Sequence, residues 1–141
     1  MMMRCSVLIL IAWLINSCNT SNVNSTMVDV HSQGWYSPAE VTLNVDDTLS
    51  MFDLGLALRY EPKVLGDSLE LLVTTIAPDG ERWSEWVVLY PRDRASTIAN
   101  YDAPYRKAVR WSAVGDYRIQ IAPKYICNGV HAVGVNTFIH R

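Results

Sequence analysis

Reactive chemistry requires ligands, nucleophiles or acids and bases at workable spacing, and this sequence offers few. The three histidines are His31, His131 and His140, and between the last two no cysteine or carboxylate falls at ligand spacing, so no metal site is expected. No Gly-x-Ser-x-Gly elbow and no phosphate-binding loop occurs. The adjacent carboxylates Asp46-Asp47 and the pair Asp79/Glu81 could serve glycoside hydrolysis only from within a cleft. Each pair lies at a predicted turn, where solvated turn residues account for it. No catalytic residue and no cofactor is expected.

The cysteines carry more information. Arg4 gives a positive start, Val7 to Ile15 is an unbroken run of nine apolar residues, and Asn16-Ser17 closes the segment, which is the pattern of a secretory leader over residues 1–17. Nine residues rise about 14 Å as a helix against a hydrocarbon core of about 30 Å, so the segment is too short for a permanent span. Ile15-Asn16-Ser17-Cys18 looks like a bacterial lipobox, which makes Cys18 the expected lipid attachment site. Its thiol would carry a diacylglyceryl group and its amine a third chain, and two or more chains make release from a bilayer negligible.

Cleavage before Cys18 would leave 141 − 17 = 124 residues, enough for one hydrophobic core. Arg4 leaves with the leader, so the charge becomes 11 − 14 = −3, and no basic field remains to draw nucleic acid. Cys5 also leaves, and Cys127 is then the single unmodified thiol, which excludes an internal disulfide. It reads as a small buried apolar side chain, with an intermolecular disulfide as the alternative.

The elements that would position these groups alternate in twos. Seven of the eight residues from Asn19 to Thr26 are Asn, Ser or Thr, so residues 18–33 read as a flexible tether and the domain is expected over 34–141. Val41, Leu43 and Val45 share one strand face, as do Leu54, Leu56, Leu58 and Tyr60, and again Leu69, Leu71 and Val73. Pro78-Asp79-Gly80 predicts a hairpin turn into the strand Trp83 to Tyr90, whose two apolar faces suggest a central position. Residues 91–104 read as a loop, followed by strands at Ala108 to Trp111, Tyr117 to Ile121 and Val130 to Ile139. Seven or eight short strands with no helix predict an all-β, antiparallel β-sandwich or jelly roll.

Five tryptophans and seven tyrosines are many for this length, and most would be core or strand-pair partners. Trp83, Trp86, Tyr90, Tyr101, Tyr105 and Trp111 fall in the middle third, where an exposed row could stack on sugar rings, with Trp83 and Trp111 as the candidate glycan contacts.

The lipobox, Gly34-Trp35, the strand ending Leu58-Arg59, the Pro78-Asp79-Gly80 hairpin, Val114-Gly115-Asp116-Tyr117-Arg118-Ile119-Gln120-Ile121 and Val133-Gly134-Val135 follow in an order that resembles the GldH-type gliding-motility lipoprotein family of Bacteroidetes. Residues 59–66 and 91–104 depart from its pattern, which suits a divergent member. The resemblance implies a non-enzymatic, membrane-anchored component of a gliding-motility or linked secretion assembly, with envelope proteins as partners. Without an acidic pair after Cys18, it implies the periplasmic face of the outer membrane. Asp47-Thr48-Leu49 and Asp67-Ser68-Leu69 match the Asp-(Ser/Thr)-apolar signal for O-glycosylation in that phylum, which makes Thr48 and Ser68 candidate acceptors. Turn punctuation explains both triplets equally well. A small glycan-binding lipoprotein of a nutrient-uptake system is the alternative function.

Overall fold

A computed structural model describes residues 23–141. The expected leader, residues 1–17, and the expected lipid attachment site Cys18 lie outside the described residues. In chain order the elements are β1 (Val23–Asp29), β2 (Gln33–Trp35), β3 (Ala39–Val45), β4 (Phe52–Tyr60), α1 (Pro62–Leu65), β5 (Leu69–Ile76), β6 (Arg82–Leu89), β7 (Ala99–Val109), β8 (Gly115–Pro123), β9 (Cys127–Asn128) and β10 (Val130–Ile139).

Alternation sorts the side chains into a core between two sheets. Leu56, Leu58 and Tyr60 of β4, with Val133 and Val135 of β10, face Leu71 and Val73 of β5 and Tyr117, Ile119 and Ile121 of β8, all essentially inaccessible to solvent. One sheet has the order β1-β10-β4-β7, the other β3-β8-β5-β6, and β2 pairs with β9 in a short accessory ribbon. Every pairing is antiparallel. Setting the ribbon aside, the eight long strands run first-eighth-third-sixth in one sheet and second-seventh-fourth-fifth in the other, which is the strand order of a jelly roll. The antiparallel sandwich read from alternation is therefore the fold of the described residues.

Three local expectations are corrected. The polar run expected to be tether is strand from Val23, paired with β10 from Val23↔Phe138 to Asp29↔Ala132. An edge strand needs backbone pairing more than apolar side chains, and Gly134 admits a close approach: a Cβ there would lie 2.1 Å from the Thr26 carbonyl oxygen. Strand structure thus extends N-terminally of residue 34, as far as Val23, the first described residue. Second, β6 is an edge strand and not a central one, so its outward apolar residues are left uncovered. Third, the last part of the expected loop, residues 99–104, and the first part of the expected strand at Ala108 belong to one strand, β7. Its period is broken by irregular pairing at Leu54 and by Ala108 at φ 55°, and Pro104 is tolerated because β7 lies at a sheet edge.

Candidate functional site

The Pro78 turn sets the phase of β6. Thr75 pairs with Trp83 and Leu71 with Val87, so Trp83, Glu85, Val87 and Leu89 share the inward face with β5. Trp86 and Val88 must then point to solvent, followed by Tyr90, and all three are exposed, Trp86 at 59%. Across the pair, Glu70 lies opposite Val88 and Leu72 opposite Trp86.

Lys124, just beyond β8, ties this face together. Its backbone N–H donates to the Glu70 carbonyl at 3.0 Å and its ammonium lies 3.0 Å from Glu70 Oε2. Its Nζ is 5.8 Å from the Trp86 ring centre and 5.5 Å from that of Tyr125, within cation–π range. The Glu70 hydrogen bond, then the Glu70 charge, raise the Lys124 pKa, so the cation is held protonated. Tyr125, 72% exposed, Ile126 and Val64 extend the face to a cleft of about 360 Å³ that Ser68, Leu69 and Cys127 also line. That volume lies within the range of small-molecule sites. Exposed aromatic rings gathered at one cation beside a mixed polar and apolar cleft make this face the candidate binding surface.

The tryptophans singled out from the sequence do meet, but not as an exposed row. Trp83 and Trp111 line one narrow cleft of about 100 Å³ with Tyr105, Arg106 and Val109. Trp111 is only 7% exposed and packs against Tyr117 at 4.6 Å between ring centres and 50° between planes, whereas Trp83 is 45% exposed. A core tryptophan cannot stack on a sugar, which corrects the expected Trp83/Trp111 pairing as a platform. Beside them, Glu85 of β6 accepts the Tyr105 hydroxyl and takes Arg106 Nη2 at 2.5 Å on both oxygens. Two edge strands from different sheets are stapled there. Burial, then the Glu85 hydrogen bond, push the Tyr105 phenol well above its usual pKa.

Thr48 sits half-buried in the β3–β4 turn, where Asp47 Oδ1 accepts the backbone N–H groups of Leu49 at 2.8 Å and Ser50 at 2.9 Å. Hydrogen bonds from Ser50, side chain first, and from Leu49 hold the Asp47 carboxyl below its usual pKa. Ser68 is exposed before β5, and the preceding Asp67 pairs with Arg94 at 2.5 Å. The two triplets occupy opposite ends of the sandwich. His140 Nδ1 meets Asp53 at 2.7 Å and His131 Nε2 lies 3.3 Å from Glu61, and among the described residues no three metal-ligating side chains gather. Cys127 is a free, buried thiol whose pKa desolvation raises.

Trp86 and Tyr90 stand in the aromatic middle third that the sequence offers as a possible exposed row, whereas Tyr125 was not singled out as a contact. Counting strand parity back from the Pro78 turn would have put Trp86 outside; nothing in the sequence marks Tyr125, which is brought there by pairing of β5 with β8.

No protein-family model and no curated protein sequence matches the chain. Among solved structures, it is similar to a structure of the infectious bursal disease virus Gx strain, with a TM-score of 0.43 and 12% identity over 83% of this chain and 32% of that one. The VP2 subviral particle of infectious bursal disease virus gives a TM-score of 0.43 at 12% identity over 85% and 33%. Dimeric latent PorU from Porphyromonas gingivalis gives 0.36 at 10% identity over 84% of this chain and 13% of that chain. The chain thus spans about a third of the two viral proteins and a far smaller part of PorU.

Proposed function

We propose that this chain is a lipid-anchored, non-enzymatic component of an envelope assembly, held through Cys18 at the periplasmic face of the outer membrane and serving gliding motility or the linked secretion machinery. The observation that carries its binding role is the exposed face of Trp86, Val88, Tyr90 and Tyr125 around Lys124. Aromatic anchors beside a fixed cation suit a protein interface, where such residues dominate affinity. Tyr125, Ile126 and Val64 gather where β5 begins, and β1 begins at the opposite end. An anchor joined to β1 therefore turns this face away from the bilayer.

The test is a crosslinked pull-down of the tagged, lipidated protein from native membranes, alongside Cys18→Ala and a Trp86→Ala/Tyr125→Ala variant. Gliding or secretion components should come down with the wild type and be lost from both variants. Recovery unchanged by Trp86→Ala/Tyr125→Ala would contradict the assignment of the face. The second reading, a glycan-binding lipoprotein of a nutrient-uptake system, draws on the same rings, since Trp86 and Tyr125 flank a hydrogen-bond donor. Recovery of polysaccharide-uptake proteins alone would favour it.

A further inference from the structure

Strand pairing that already includes Val23, the first described residue, changes the geometry of anchoring. Four residues, 19–22, separate Cys18 from Val23, and five extended steps reach at most about 17 Å. Headgroups occupy roughly 5–8 Å of each leaflet, so little slack remains between the domain and the lipid surface. A chain this short selects which end of the sandwich faces the bilayer. That end is the one where Val23 pairs with Phe138, Phe52 with Ile139 and Val45 with Gly115.

Apolar side chains are exposed at this end. Leu49, at the tip of the β3–β4 turn, is 84% exposed, and Met51, Val114, Phe138 and Ile139 are exposed around it. Leu49 is not free to fold back, because its own N–H and that of Ser50 are both held by Asp47 Oδ1. Met51 is fixed beside the chain end by the His140 N–H, which donates to its carbonyl at 2.9 Å. Asp46, Asp47, Asp79 and Glu81 on the connecting turns are balanced in part by Lys107, Arg110 and Arg141, so the end carries no one-signed field.

We infer that this end of the jelly roll, with Leu49 as its tip, rests in the interface of the leaflet that holds the Cys18 anchor. The inference depends on Cys18 being lipidated and adds to it a fixed orientation of the domain. Mixed charge makes the contact indifferent to anionic lipid, and salt should not release it. A tip in the interface also shields Thr48, leaving Ser68 as the accessible one of the two triplets.

The test uses the full lipidated protein in phosphatidylcholine liposomes containing nitroxide-labelled phosphatidylcholine. Cys127→Ala removes the buried thiol, and an environment-sensitive fluorophore is placed by Leu49→Cys or, at the far end between β6 and β7, by Thr97→Cys. Both sites are exposed, so neither label need disturb the fold. Quenching at position 49 should exceed that at position 97 several-fold. Equal quenching at the two sites, or none at 49, in protein that floats with the liposomes overturns the orientation and leaves the anchor standing. Protein that fails to float overturns both.

Discussion

Trp83 and Trp111 share a cleft yet differ in what their removal does. Trp111→Ala removes a buried ring packed on Tyr117 and should cost about 3–5 kcal/mol, enough to leave the domain marginal. Trp83→Ala, at a half-exposed edge, should cost under about 1.5 kcal/mol, and chemical denaturation of the two variants separates the roles. At the same edge, Tyr105 has a folded pKa above its unfolded value of about 10. Its neutral form is favoured by folding, so its contribution is complete below that pH and is lost as pH rises through the folded value. Denaturation between pH 8 and pH 11 should show stability falling on the alkaline side, and Tyr105→Phe should flatten that fall. Equal alkaline slopes for both proteins would contradict the role given to burial and Glu85. Single residues of this kind were half legible: the sequence marks aromatic residues, whereas only the pairing of strands decides which way each one points.

At the level of elements, alternation sufficed wherever one strand face meets the core. β3, β4, β5, β8 and β10 could be read directly, because Val41, Leu56, Leu71, Ile119 and Val135 each repeat at every second position with apolar neighbours. β7 could not, because a bulge and a left-handed Ala108 shift its phase midway. β1 could not either, since an edge strand of Asn, Ser and Thr is held chiefly by the backbone of β10. Gly134 makes a direct test of that strand. Gly134→Val would drive a side chain into the Thr26 carbonyl and the Met27 backbone, so β1 should detach, with protease cleavage appearing within residues 23–29 and a loss of about 1–3 kcal/mol. A variant as protease-resistant as the wild type would show that β1 does not depend on this approach.

The whole molecule joins two kinds of information that the chain encodes separately. Its jelly-roll order follows from strand pairing, which the periodicity implied without fixing the sequence of neighbours. Its proposed place on a membrane follows from Cys18, outside the described residues, and from the few residues that join Cys18 to β1. Together they give the proposed arrangement, with one end at the bilayer and an aromatic face near the other. Trp86 was legible as a possible contact from strand parity, but the place of Tyr125 in that face was not, because it depends on β8 pairing with β5, which in turn pairs with the edge strand β6. Intact mass spectrometry of the protein extracted from its native membrane should find a chain that begins at Cys18 and carries two or three acyl chains, with any further glycan mass mapping to Ser68. A mass matching the chain with its leader retained, or with Cys18 unmodified, would contradict the lipid anchor.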